Sequence, residues 1–248
     1  MKGLQRKLIL SLVTVMMLFG FLYAQEKIVL ATLEWEPYIG KSLPGEGYVA
    51  EIVREAFKRE GITVTFQYYP WARTVDMAKR GLVDGYFPEY YAKEVEEHSI
   101  FSQGFPGGPI VFFKRKADKI SYNQYEDLKK YNIGVVRGYV NEEKFDKATW
   151  LKKDEAVDDA TNINKLLNKR IDLLVADKFV GLYLINKSFK EKAGEIDYID
   201  KPLINHKLYV CFGKNARNST RLVKAFNSGL EKITTDGTVN KILKKHGF

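Results

Sequence analysis

A chain of 248 residues is long enough for one large domain or two lobes with cores of their own. Its single cysteine rules out an internal disulfide, so stability must come from packing. The formal charge of +9 would suggest a nucleic-acid partner, but the basic residues are interleaved with acids, as in Lys152-Lys153-Asp154-Glu155. Such a mixed-sign, lysine-rich pattern belongs to a solvated surface, and nucleic acid is not expected as a partner.

The N-terminus carries Lys2, Arg6 and Lys7, then the apolar run Leu8 to Leu22, then Ala24 before Gln25-Glu26-Lys27. This is the layout of a secretory signal peptide over residues 1–24, although Leu22 stands where a smaller residue is preferred. The apolar run is shorter than the roughly 20 residues a bilayer crossing needs. We therefore expect cleavage, export to the periplasm and a soluble mature chain of charge +6 once the three leading positives are gone. Cys211 lies in the apolar run Leu208 to Phe212 and reads as a small buried hydrophobe.

Ile28 to Leu33 predicts a buried strand, and turn residues follow from Pro37 to Gly47. Val49, Ile52, Val53, Ala56 and Phe57 recur at i, i+3, i+4, i+7 and i+8, one stripe of a helix stopped by Gly61. Ile62 to Tyr68 predicts a second strand, Trp71 to Arg80 a helix ended by Gly81, and Asp84 to Phe87 a short strand. Alternating strands and helices imply a parallel sheet covered by helices. The same order recurs with a strand at Ile133 to Val136, helices at Asn141 to Lys147 and Asp158 to Lys169, a strand at Leu173 to Ala176 and a helix from Phe179.

Between these units Pro109 to Phe113 and Leu208 to Phe212 predict strands that cross without a flexible linker. Apolar stripes at Leu222, Val223, Phe226, Leu230 and Ile233, and at Val239, Ile242 and Leu243, predict closing helices. The expected fold is α/β with two lobes, each a sheet flanked by helices, joined by two hinge crossings. Lobe one is expected to hold residues 25–113 and 208–248, and lobe two residues 114–207. A cleft between lobes is a preferred ligand site, and such hinges permit closure.

Several landmarks then fall in order: Trp35-Glu36-Pro37-Tyr38, the helix start Gly47-Tyr48-Val49-Ala50-Glu51-Ile52-Val53, and Gly81-Leu82-Val83-Asp84-Gly85. Phe101-Ser102, Ile133-Gly134-Val135 with Gly138, Ile171 to Asp177, and Asp236-Gly237-Thr238 follow. In this ordered set the chain, from Ile28 to Phe248, resembles the periplasmic amino-acid-binding proteins, the smaller bilobal solute-binding proteins that serve ABC transporters. The resemblance implies capture of a small polar ligand, an amino acid or related amine, and delivery to a membrane permease. The mature protein is expected to be a monomer without cofactor or bound metal.

The resemblance also implies site residues. Trp35 and Tyr38 flank the opening proline, where the family stacks an aromatic on its ligand; for Trp35 the competing reading is core packing. Trp71 matches a pocket position or packs a helix end, and Arg73 reaches the cleft or decorates the helix. Asp177 matches the acid that holds a ligand amine, but it also suits a helix N-cap before Lys178. Gly134 to Tyr139 matches a loop whose amides receive the ligand's acid group, with Arg137 and Tyr139 altering its shape.

The family's carboxylate-clamping arginine has no counterpart, since Val95 or Glu96 stands in its place. Glu89 and Tyr91 occupy the preceding loop, where the family has small hydroxyls. Either Arg73 or Arg137 substitutes for the clamp, or the ligand lacks a carboxylate. Two other function classes compete. One is a cleft enzyme of the cyclic dehydratase type, for which the sequence offers no HExxH, GxSxG, P-loop or metal-spaced cluster, so no catalysis is expected. The other is a sensory protein that presents its ligand to a membrane receptor.

Overall fold

The computed structural model describes residues 26–214, 216 and 218–248; the expected signal peptide lies outside the described residues. Strand β1 (Glu26–Thr32) runs parallel to β2 (Ile62–Tyr68), in register from Glu26 opposite Ile62 to Thr32 opposite Tyr68. The crossover between them is helix α1 (Tyr48–Lys58), whose stripe of Val49, Ile52, Val53, Ala56 and Phe57 is fully buried. Helix α2 (Trp71–Lys79) then leads to β3 (Gly85–Glu89) on the other side of β1. Sequence patterning had placed each of these elements to within about two residues, because their periodicities of 3.6 and 2 coincide with burial.

A short helix α3 (Lys93–Glu96) and strand β4 (Ser99–Phe101) precede β5 (Phe105–Arg115). Beyond it lie β6 (Asn132–Val136), α4 (Glu143–Lys147), β7 (Lys152–Ala156), α5 (Asp159–Leu167), β8 (Leu173–Asp177) and α6 (Lys178–Ser188). The chain returns through β9 (Ile196–Tyr198) and β10 (Ile204–Gly213), then ends in α7 (Ser219–Thr235) and α8 (Thr238–Lys245). Among the described residues no helix is long and apolar enough to cross a membrane.

The strands form one connected sheet in the order β2-β1-β3-β10-β5-β8-β6-β7, with β4 on β10 and β9 on β5. The first lobe is built on β2-β1-β3 and the second on β8-β6-β7, each parallel within itself. The antiparallel pair β5 and β10 joins them, so the backbone crosses between lobes twice. One apolar cluster extends from the first lobe through the junction, and a second sits where α5 and α6 cover β8. Cys211 is wholly buried within the first, as its apolar neighbours implied.

Three strands escaped the sequence reading. β7 has the sequence Lys-Lys-Asp-Glu-Ala and terminates the sheet, paired only to β6. Charged edge strands are a common defence against edge-to-edge association, and they carry no apolar alternation to detect. β4 and β9 are three residues each, too short for a period to show. β5 begins at Phe105 rather than Pro109, through Pro106, Gly107 and Gly108, residues that argue against a strand. They are accommodated because the β5–β10 register shifts beside them, between Asn205 and Lys207.

Helices α1 and α7 approach closely at Gly229, where an added Cβ would lie 1.9 Å from the carbonyl oxygen of Ala56. Alanine has the better helix propensity, but backbone cannot yield as a flexible side chain can. Gly229→Ala should therefore lower stability by about 1–3 kcal/mol, as overpacking does, in a urea-unfolding measurement.

Candidate functional site

Open α/β sheets place ligands at the carboxyl ends of their strands, where the order reverses. Here β1 runs into Leu33 and Trp35, β3 ends at Glu89 before Tyr90, β6 runs into Arg137 to Val140, and β8 ends at Asp177. Leu33, Trp35, Trp71, Pro88, Glu89 and Tyr90 from the first lobe, with Tyr139 and Val140 from the second, line a small space between the lobes. Its cavity volume is about 20 Å³, roughly the room for one water. A wider open groove shares the walls Tyr139 and Val140 and extends past Tyr91 and His206.

Aromatic residues make up half of this lining. Trp35 lies 4.8 Å from Tyr38 and 5.8 Å from Tyr90 between ring centroids, and Trp71 meets Tyr139 edge-on at 6.1 Å. The Trp71 Nε1–H donates to the Gly138 carbonyl at 3.0 Å, a hydrogen bond across the cleft. His206 stacks on Tyr90 at 4.1 Å, and burial lowers its pKa.

Asp177 binds the lobes together. Its carboxylate accepts from the Tyr38 hydroxyl at 2.9 Å to each oxygen, from the Tyr90 hydroxyl at 3.1 Å, and from the amides of Phe179 and Val180 that it caps at the start of α6. Asp177 is thus the N-cap of α6, the reading weighed against an amine anchor, and it also joins Tyr38 and Tyr90. Burial, then the charge of Asp177, pushes the Tyr38 hydroxyl far above its ordinary pKa, so it remains a donor. Gly108 on β5 makes room for the pair: a Cβ there would stand 2.1 Å from the Tyr38 hydroxyl and 2.6 Å from Asp177 Oδ2.

Three carboxyls at or near the cleft are buried, of which Glu89 lines it. Glu89 accepts from the Tyr90 amide at 2.9 Å and the Tyr86 hydroxyl at 3.2 Å, and burial raises its pKa to about 8. Burial also raises Asp177, to about 6, against its hydrogen bonds. Asp159, 4% exposed, is pushed up to about 7 by burial and then by the charges of Asp177 and Asp158. Its Oδ1 has no hydrogen-bond partner, and neither does the facing Nε1 of Trp35. The indole lies close enough to draw the Asp159 pKa down, yet outside hydrogen-bond geometry.

Of the residues expected to bind ligand, Trp35, Trp71, Glu89 and Tyr139 line the enclosed space. Tyr38 and Asp177 form the adjoining network, and Tyr91 lines the open groove while packing on Phe101 and Tyr209. Arg73 is exposed with its guanidinium over the Tyr69 ring at 4.7 Å, and Arg137 is exposed and paired to Glu155 at 3.0 Å. Neither arginine lines the enclosure. Tyr90 and Asp159 escaped the sequence reading. The available signal for Asp159 was its doubling with Asp158, since a helix start needs only one cap and Asp158 supplies it to the Thr161 amide.

The sequence profile of the bacterial extracellular solute-binding proteins, family 3, matches residues 29–248. No curated protein sequence matches the chain significantly. Among solved structures, an ancestral arginine-binding protein bound to arginine is similar with a TM-score of 0.76 at 19% identity, covering 90% of this chain and 98% of that one. A histidine kinase sensor domain with similarity to periplasmic binding proteins has the same TM-score, 0.76, and 19% identity, over 90% and 97% of the chains. An amino acid ABC transporter substrate-binding protein from Streptococcus pneumoniae, bound to L-arginine, scores 0.73 at 14% identity over 90% and 95%. At these identities the likeness establishes the two-lobed fold.

Proposed function

This chain belongs to the bacterial extracellular solute-binding proteins of family 3, and from that premise we propose that it captures a small amine-bearing solute between its lobes and delivers it to an ABC-type permease. The solute is an amino acid or related amine, bound in the periplasm by a monomer whose leader has been removed. The observation that carries this reading is the lining of the narrow space between the lobes, tryptophan and tyrosine faces with the carboxyl of Glu89 and no lysine or arginine, whereas Lys93, Lys147 and Lys153 stand along the wider groove beyond it. Aromatic faces and carboxyls attract cations, while an anion enclosed there would go unpaired at a cost of several kcal/mol.

The lobes we assign are residues 25–113 with 208–248, and 114–207. Strand pairing favours crossings a few residues earlier, with Phe105–Pro109 against Asn205–Leu208, because β5 pairs with β8 from Ile110 onward. Parting of the lobes at these crossings would admit the solute. A second reading, a sensory protein that presents the same ligand to a receptor, draws support from the likeness to a histidine kinase sensor domain.

A thermal-shift screen of amino acids, amines, polyamines and organic acids tests the ligand class. Amine-bearing compounds should raise the unfolding midpoint; stabilisation by amine-free acids alone would refute the assignment.

A further inference from the structure

Resting on the reading of an amine-bearing ligand, we propose that Asp159, facing the indole N–H of Trp35 across the cleft, holds the ligand's cationic nitrogen, an ammonium or a guanidinium. The position that resemblance singles out is Asp177, but its acceptor capacity is spent. Two hydroxyls and two amides donate to it, and a carboxylate offers about four lone-pair sites. A ligand cation would have to displace Tyr38 or Tyr90, and with it the bonds that join the lobes there.

Asp159 is in the opposite condition. Asp158 already caps α5 through the Thr161 amide at 2.7 Å, so the helix makes no demand on its neighbour. The Asp159 side chain is nevertheless buried with Oδ1 unpartnered, and so is the Trp35 Nε1 it faces. A buried carboxyl without a partner is costly, and a cation at that point removes the cost. Trp35 is itself a wall of the enclosed space, and Tyr139, whose hydroxyl senses the charges of Asp159 and Glu89, is another. Asp159, in the second lobe, therefore stands beside two walls of the space without itself lining it, and Glu89 lines it from the first lobe.

The carboxylate has room for two donors at once, the indole N–H and a ligand N–H, so cation binding would complete the Trp35–Asp159 contact rather than compete with it. The indole and Trp71 rings would cover the rest of the cation. With Arg73 and Arg137 both turned elsewhere, an acid group on the ligand meets no guanidinium in this arrangement. The class so defined is a small amine or guanidine for which a carboxylate is not obligatory.

The test compares wild type, Asp159→Asn and Trp35→Phe by thermal shift and calorimetry, with L-arginine, L-lysine, agmatine and putrescine as probes and succinate as the amine-free control. At least one amine should bind wild type, and agmatine should bind no worse than L-arginine. Asp159→Asn should weaken that binding by at least about 30-fold, in the range for truncating one partner of a buried charge pair. The thermal midpoint of Asp159→Asn without ligand should not fall below that of wild type, which separates lost binding from lost folding. Trp35→Phe, which removes the N–H and keeps a ring, should weaken binding less. Amine binding that survives Asp159→Asn within threefold would overturn the anchor and leave the amine reading standing. Binding of succinate and of no amine would overturn both.

Discussion

Asp177→Ala should reduce the unfolding free energy by about 2–5 kcal/mol at pH 7, whatever its effect on ligand. The substitution removes one acceptor and leaves four buried or half-buried donors, the Tyr38 and Tyr90 hydroxyls and the Phe179 and Val180 amides. Each orphaned donor costs about 1–3 kcal/mol, and loss of a helix cap about 1. The opposing effect is relief of burial. Ionising a carboxyl whose pKa has risen from 3.8 to about 6 costs about 3 kcal/mol at pH 7, and alanine escapes that cost. Four donors outweigh one buried charge, so the net change is destabilising. Asp177→Asn, which keeps one acceptor oxygen, should lose less. Urea unfolding of the three proteins checks the order. An Asp177→Ala protein as stable as wild type would mean that Asp177 does not hold the lobes together, and that its role is with ligand alone.

The second large effect is a fall in stability as pH rises from 6.5 to 8.5. Glu89 and Asp159 have folded-state pKa values of about 8 and about 7, against ordinary values of 4.5 and 3.8. A folded-state pKa above the unfolded one means the native protein binds more protons, so its advantage is present at low pH and lost as pH climbs through the folded value. For these two groups that loss runs from about pH 4 to about pH 8, at about 1.4 kcal/mol per unit of difference. His206 acts in reverse: burial lowers its pKa, so it weakens the fold as pH drops below its ordinary value of 6.5. Asp236, lowered to about 2, matters only in strong acid. Between pH 6.5 and 8.5 the carboxyls therefore act alone among the groups with these large shifts, and the thermal midpoint should decline by several degrees. Glu89→Gln should flatten the upper part of that decline and leave a variant more stable than wild type at pH 8.5. A midpoint that rises over this interval would show that the carboxyls are hydrated rather than buried. A cationic ligand should oppose the decline, because it pairs with the charge that pH creates.

Sequence by itself determined the elements whose apolar period coincides with burial. The stripe from Val49 to Phe57, the run from Ile62 to Tyr68 and the closing stripes at Leu222 to Ile233 all became the helices and strands their spacing required. It also determined the two-lobed class, because two strand–helix series separated by linker-free apolar crossings have few ways to close. Trp35, Trp71, Glu89 and Tyr139, which the family resemblance put among the expected ligand residues, do come together around one space between the lobes. Tertiary structure alone decided what each side chain does there. Whether Arg73 enters the cleft or lies on Tyr69, and whether Arg137 turns inward or pairs with Glu155, depends on which side chains the folded backbone brings within reach. Asp177 could be read as anchor or cap, but its saturation by Tyr38, 139 positions earlier, arises only when the lobes meet. Asp158 and Asp159 are chemically the same residue in the sequence. One is spent on its own helix and the other is left buried beside Trp35, because hydrogen-bond accounts close in three dimensions and not along the chain.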